Sequence, residues 1–174
     1  DFFNRCSADV ALTLTPIRMA QHWTLFKAVT GTESTSVVLT PESDPSLSRI
    51  SVAVANSTRR TMLERIAERL SNASINIHRA YLDTIDDGNN GSVSFVGFVV
   101  TSPEGGPIDP KSRLWRRVHH DLRRIKWSDK RAINLSQCHP ELDLTHGELI
   151  VALGDLVHQV LTHRNRYAYT SERV

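Results

Sequence analysis

The chain has 174 residues, of which 40% are hydrophobic and 23% are charged, and its net charge of +2 completes a composition typical of a globular protein with one core. No apolar run approaches the roughly 20 residues that cross a bilayer, so we expect no membrane span. Two cysteines, Cys6 and Cys138, are too few for a disulfide framework, and no signal segment precedes the body, so we expect a cytoplasmic protein.

The first segment has a helical pattern. Apolar residues recur at about helical spacing from Ser7 onward, with Ser7 as a candidate N-cap and Pro16 as a break or kink. We expect one or two helices, forming an N-terminal extension over residues 1–31. The chain starts without a methionine and stops without a terminating pattern, which favours a piece of a longer polypeptide.

Two strands follow. The segment "TSVVLT", residues 35–40, is rich in β-branched residues, and the "PESDPS" after it is typical of a turn. In "SRISVAVAN" the apolar residues Ile50, Val52 and Val54 alternate with small ones, which is the period of a strand with one face on a core. We expect these two strands to pair.

An amphipathic helix comes next. Its apolar residues fall at i, i+3, i+4 and i+7, namely Leu63, Ile66, Ala67 and Leu70. We expect Arg65, Glu68 and Arg69 to face elsewhere.

The segment "SINIHRAYLDTID", residues 74–86, then predicts a strand, joined by the turn "DDGNNG" to the strand "SVSFVGFVVTS". The apolar face of the first strand switches between His78 and Ala80, which predicts a β-bulge. A similar change around Gly97 predicts a second irregularity that faces the first. His78 and Arg79 are then structural neighbours of a bulge and not reactive groups.

A second amphipathic helix is expected to start near Pro110, with its apolar side formed by Leu114, Val118, Leu122 and Ile125. From residue 48 to residue 127 the order is therefore strand, helix, strand, strand, helix. This order predicts an α+β two-layer sandwich, with a mainly antiparallel sheet and helices on one face. We assign residues 32–127 to this domain.

Residues 128–174 are expected to form a loop and a C-terminal helix, at the start of a linker to the rest of a longer protein. Residues 128–144 are polar and irregular in pattern, with at most a short strand at 132–135. The final helix is expected from about Thr145.

Several of these features occur together in one known family. A strand runs into a polar loop, a helix carries Leu63-x-x-Ile66-x-x-x-Leu70, and Ile75-Asn76-Ile77 with Ala80 opens the next strand. This run resembles ACT domains, small βαββαβ ligand-binding modules that regulate enzymes of amino-acid metabolism, and the resemblance implies an ACT/ferredoxin-like sandwich. Residues 56–59 replace the Asp-Arg-Pro-Gly-like turn of ACT domains, and residues 35–40 are a candidate for their last strand.

Four further segments, "GTESTSVVL", "INIHRAYLD", "LWRRVHHDLRRIKW" and "RNRYAYTSERV", extend the resemblance along most of the chain. Together they resemble the N-terminal regulatory part of the large NAD-specific glutamate dehydrogenases. The resemblance implies a noncatalytic module for allosteric regulation, with NAD bound elsewhere in the parent enzyme and no cofactor in this fragment. It also implies contacts with other domains of the same chain, a homo-oligomer and an amino-acid effector.

The effector candidates lie at the turn into the first sandwich helix and at the start of the following strand: Asn56, Ser57, Thr58, Arg59 and Asn76. Backbone amides at a helix N-terminus, together with an arginine, could hold a carboxylate. Ordinary helix capping by the same residues is an equal alternative.

The strongest charge feature is a basic segment with nine Lys or Arg and two Asp: Lys111, Arg113, Arg116, Arg117, Asp121, Arg123, Arg124, Lys126, Asp129, Lys130 and Arg131. The basic surface expected on the helix comprises Arg113, Arg116, Arg117, Arg123, Arg124 and Lys126. Three interpretations stay open: a solvated helix face, an interface with other domains or subunits, and binding of anions. The alternative function is therefore a nucleic-acid or polyanion-binding module, although few aromatic residues accompany these charges.

Motifs for catalysis and metal binding do not appear in the sequence. No G-x-G-x-x-G follows a strand and no G-x-S-x-G frames a nucleophile, so we expect no catalytic residues. His119-His120 and Cys138-His139 contain usual zinc ligands, but adjacent residues on a helix point about 100° apart, and the two histidines miss the i, i+4 spacing of a helical metal site. We therefore expect no metal.

Overall fold

The structure is a computed structural model and describes residues 15–56, 59–86, 91–139 and 141–164. The chain forms two compact units, of which the first ends at Lys126 and the second begins at Trp127. Cys6 and the predicted cap Ser7 lie outside the described residues.

Helix α1 spans Pro16–Val29. The Thr15 side chain accepts a hydrogen bond from the backbone N–H of Arg18 at 3.4 Å, and so caps the helix. Pro16 fits the first helical turn, because its fixed φ suits the helix and its missing N–H would have had no partner there. Pro16 therefore starts this helix, and the residues before Thr15, on which the expected break or kink depends, lie outside the described residues.

Four strands form one antiparallel sheet in the order β1-β2-β4-β3. The strands are β1 Thr35–Pro41, β2 Ser48–Ala55, β3 Asn76–Asp86 and β4 Ser92–Thr101. Helix α2, Arg59–Asn72, connects β2 to β3, and helix α3, Arg113–Arg124, follows β4. The architecture is therefore α+β, as predicted, and both predicted strand pairs are confirmed. Helix α3 starts three residues beyond Pro110, because Ser112 caps it through the backbone N–H of Trp115.

The predicted bulge on β3 is confirmed, since the register with β4 shifts between Ile77 and Arg79. The second irregularity, at Gly97, is wrong: Gly97 pairs in regular register with Ser51 on one side and Tyr81 on the other. The apolar residues of β4 occupy both alternations because this strand is buried on both faces along most of its length.

The sheet has helices on both faces. Alternation along the strands places Val52 and Val96 on the face that α2 and α3 cover. Ala53 and Phe95 point to the opposite face, where they share a core with Phe26 of α1. Helix α1 therefore packs on the second face, which the sequence did not indicate.

A buried ion pair connects the two helices of the first face. Arg69 on α2 and Asp121 on α3 are both buried, and Arg69 Nε donates to Asp121 Oδ2 at 2.7 Å. The expectation that Arg69 faces elsewhere is wrong, because the carboxylate of Asp121 gives the guanidinium a partner inside the protein.

The second unit contains helix α4, Lys130–Cys138, and helix α5, Leu144–Arg164. The expectation of an irregular segment with a short strand at 132–135 is wrong. Asp129 caps helix α4, and Ala132 and Ile133 of this helix are buried. Neither α5, at 21 residues, nor any other helix within the described ranges combines the length and apolarity that crossing a membrane requires.

Candidate functional site

One polar cavity among the described residues of the first unit is a cleft on the sheet face that α1 packs against. Its volume is about 340 Å³. We call it the open-face cleft, and its side-chain lining comprises Arg18, His22, Arg49, Ser51, Tyr81, Asp83 and Phe95, with Gly97 in the floor. Helix α1 and strands β2, β3 and β4 all contribute, so the cleft depends on the folded sheet.

Gly97 leaves a gap in the floor of the cleft. It lies between Ser51 and Tyr81 in the central row of the sheet, on the face toward the cleft. A Cβ atom at this position would lie 3.5 Å from Arg49 Nη1 and 3.8 Å from Tyr81 Cβ, which are ordinary contact distances. The missing side chain therefore creates space, and a methyl group would fill it without a clash.

One end of the cleft is cationic. Arg49 is buried and pairs with Glu42, and Arg18 Nη2 donates to the same carboxylate at 3.3 Å. Burial acts to raise the pKa of Glu42, but the hydrogen bond and charge of Arg49 outweigh it and hold this pKa below its usual value. Two guanidinium groups thus share one carboxylate, which leaves a positive charge at this end.

Tyr81 connects the cationic end to the floor. The guanidinium carbon of Arg49 lies 5.0 Å from the centroid of the Tyr81 ring, in a cation–π contact. A hydrogen bond from Arg79, followed by one from Arg49, lowers the pKa of the Tyr81 hydroxyl despite partial burial. Tyr81 is therefore held in place from both sides.

The other end of the cleft carries hydrogen-bond acceptors. Burial lowers the pKa of His22, although the nearby charge of Asp83 opposes the shift. His22 Nδ1 lies 2.9 Å from the carbonyl oxygen of Arg18, to which only a protonated Nδ1 can donate. In the neutral ring Nε2 is then the acceptor, and His22 and Asp83 both line the cleft.

A larger groove, of about 440 Å³, lies between α1 and β1. It is lined by apolar and uncharged polar side chains, including Ile17 and Val38. Because it contains no ionisable side chain, it offers little to orient a polar ligand. The open-face cleft is therefore the stronger candidate for specific binding.

The predicted effector residues are not brought together. Asn56 hydrogen-bonds to the backbone of Ser92 at one end of β4, whereas Asn76 pairs with Thr101 at the other end. At about 3.3 Å per residue, the two asparagines are separated by about 30 Å. The cause is that β2 and β3 both run antiparallel to β4. The end of β2, next to Asn56, and the start of β3, at Asn76, therefore lie at opposite ends of the strands.

Each asparagine also has a structural partner. Asn56 has a positive φ of 49° and donates to Glu33 Oε1 at 2.7 Å. Asn76 Nδ2 donates to the carbonyl of Ser102 at 3.4 Å. Ser57, Thr58 and the side chain of Arg59 lie outside the described residues.

The predicted basic surface is divided by the structure. Arg113, Arg116, Arg117 and Arg123 are exposed, and Arg124 is half-buried. Lys126 makes contacts within the first unit: its Nζ donates to the carboxylate of Glu33 and, at 2.7 Å, to the carbonyl oxygen of Ala55. The hydrogen bond from Lys126 is the main reason why the pKa of Glu33 lies below its usual value.

Two of the histidines singled out in the sequence, His78 and His139, have ordinary partners. His78 Nε2 lies 3.1 Å from Thr101 Oγ1, which supports a structural role beside the bulge. His139 pairs with Glu141 at 3.3 Å, and Cys138 is exposed. Within the described ranges, no three His, Cys, Asp or Glu side chains are grouped as metal ligands.

The sequence pattern did not predict the open-face cleft, because the residues of the cleft come from one helix and three strands. The available signals were two polar residues at alternate positions on β3, Tyr81 and Asp83, and the glycine on β4 that lies opposite Tyr81, Gly97. No model of a known protein family matches the chain, and no curated protein matches it.

Proposed function

We propose that this chain is a noncatalytic regulatory domain of ACT type, and that it belongs to a large NAD-specific glutamate dehydrogenase. The parent enzyme would oxidatively deaminate glutamate to 2-oxoglutarate and ammonia, with NAD bound outside this fragment. The domain would act by binding an amino-acid effector with different affinities in two states of the enzyme. The observation that carries the proposal is the path of the chain through the sheet.

That path supports the ACT-like interpretation. From β2 to α3 the order is strand, helix, strand, strand, helix, and β4 lies between β2 and β3. In a βαββαβ sandwich the last strand pairs antiparallel with the first. Here β1 occupies that edge, antiparallel to β2, although it precedes β2 in the chain.

The proposal includes contacts between copies of the chain. Helix α5 exposes a row of large apolar side chains with spacings of four, three and four residues: Leu149, Leu153, Leu156 and Val160. This alternation is typical of a coiled coil. We assign the row to pairing with a second copy of α5.

A second candidate function is binding of a polyanion by α3. It is favoured by the four exposed arginines on this helix, Arg113, Arg116, Arg117 and Arg123. Such binding would weaken steeply as salt is raised, because each phosphate contact releases a counterion.

Thermal denaturation of the chain with added ligands separates the two candidates. We expect one of the twenty L-amino acids to raise the melting temperature, since a ligand at 100 times its Kd adds about 2.7 kcal/mol of stability. NAD and random-sequence DNA should leave it unchanged at physiological salt. Salt-dependent binding of DNA, lost in the double variant Arg116→Glu/Arg117→Glu and without any amino-acid effect, would favour the second candidate.

A further inference from the structure

We infer that the open-face cleft binds a small zwitterion, a molecule that carries one ammonium and one carboxylate group. The site is distinct from the turn at residues 56–59 and from the basic surface of α3. The function of this ligand as an effector rests on the proposed regulatory function, whereas its binding rests on the cleft alone.

The ammonium would bind at the His22 and Asp83 end. Among the described residues, none forms a hydrogen bond or ion pair with the Asp83 carboxylate. His22 presents Nε2 as an acceptor, because Nδ1–H already donates to the carbonyl of Arg18. Two acceptors without donors, one of them charged, match a group that has several N–H donors and a positive charge.

The carboxylate would bind at the other end. Glu42 neutralises only one of the two guanidinium groups of Arg18 and Arg49. The Arg18 side chain is 32% exposed, so it can reach a ligand at the edge of the cleft. Arginine also matches a carboxylate geometrically, since its N–H groups can donate in pairs.

The separation of the two ends suits a single small molecule. Arg49 Nη1 lies near the row that contains Gly97 and Tyr81, and Asp83 is two residues beyond Tyr81 on β3. Two residues of a strand cover about 7 Å. An ammonium and a carboxylate on the same carbon span this distance when each makes a hydrogen bond of about 2.9 Å.

The walls of the cleft limit the rest of the ligand. The rings of His22 and Phe95, 4.8 Å apart, form one side, and Tyr81 lies in the floor. A volume of about 340 Å³ is at the lower end of the range for ligand sites. A free amino acid fits this space, whereas a dinucleotide does not.

The test is a titration of the ¹⁵N-labelled chain, followed by NMR, with each of the twenty L-amino acids. We expect at least one to shift the amide signals of Ser51, Tyr81 and Gly97. The deaminated acid and the decarboxylated amine of the best ligand should each bind at least 10-fold more weakly, because each loses one ionic contact.

Two variants of the cleft and one control locate the binding. Asp83→Asn removes the charge that holds the ammonium, and Gly97→Ala fills the floor; each should weaken binding at least 10-fold. Asn76→Ala, at the start of β3 and outside the lining of the cleft, should leave the affinity unchanged. Circular dichroism and the melting temperature of each variant verify that it is folded.

The inference is overturned if no amino acid shifts the cleft signals, or if both cleft variants bind as the wild type does. An amino acid that binds at the start of α2 would also overturn it, while still supporting the regulatory function. Binding in the cleft of a chain whose parent is not a glutamate dehydrogenase would leave the inference intact and contradict the proposed function.

Discussion

Arg69 and Asp121 form a buried ion pair between α2 and α3, with side chains only 6% and 3% exposed. Arg69 Nε and Nη2 both donate to the same oxygen, Asp121 Oδ2. Removing one partner leaves the other charge buried without compensation. We therefore expect Asp121→Ala to reduce the free energy of unfolding by about 3–5 kcal/mol, measured by urea denaturation.

The matched control for this pair is the double variant Arg69→Met/Asp121→Leu. Because both charges are replaced by apolar groups of similar size, it should be far more stable than Asp121→Ala. If Asp121→Ala unfolds at the same urea concentration as the wild type, the two side chains are not buried together.

Gly147 is expected to be intolerant of substitution, because a Cβ atom there would lie 2.6 Å from the carbonyl oxygen of Ala132. Gly147→Ala should force α4 and α5 apart and destabilise the second unit by about 1–3 kcal/mol. Gly154, on the same helix, has no atom within 4 Å of such a Cβ. Gly154→Ala should therefore stabilise the helix by about 0.5–1 kcal/mol. Equal melting temperatures for the two variants would contradict the packing.

His22 should make stability depend on pH. Burial lowers its pKa in the folded chain, so below about pH 6.5 the unfolded chain binds a proton that the folded chain excludes. His119, whose pKa is lowered mainly by burial, acts in the same direction. The free energy of unfolding should therefore fall as pH is lowered from 7 to 5.

Urea denaturation at several pH values measures this dependence. His22→Gln should flatten the slope between pH 7 and 5, since each unit of difference in pKa corresponds to about 1.4 kcal/mol. The carboxylates whose pKa values are lowered, such as Glu42, contribute only below about pH 4.5. A slope that is unchanged in His22→Gln would show that this ring is not held neutral by burial.

Self-association should depend on the apolar row of α5. Leu153 lies within this row and is 52% exposed, so Leu153→Lys should place a charge in the centre of the pairing surface without disturbing a core. We expect the wild type to sediment as a dimer at micromolar concentration and the variant as a monomer. A wild type that is monomeric at 100 μM would count against pairing through α5.

The first unit was largely predictable from its sequence because its signals are local. Alternation in residues 48–55 and helical spacing from Leu63 to Leu70 identify β2 and α2, and the switch of apolar face at His78 identifies the bulge. The same argument failed at Gly97, since a strand buried on both faces shows apolar residues at every position.

Other features depend on tertiary contacts. The segment at α4 is mostly polar, and its helix is stabilised by Ala132 and Ile133 when they become buried. Arg69 is charged, and only the position of Asp121 in space explains its burial. The open-face cleft combines α1 with three strands, an arrangement that the spacing of residues does not reveal.

The most direct measurement is immunoprecipitation, under nondenaturing conditions, of the native polypeptide that contains this chain. We predict that the precipitate reduces NAD when glutamate is added, releases ammonia, and carries the chain on a polypeptide far longer than 174 residues. A precipitate without glutamate-dependent reduction of NAD, with the chain on a polypeptide of its own size, would contradict the proposed function.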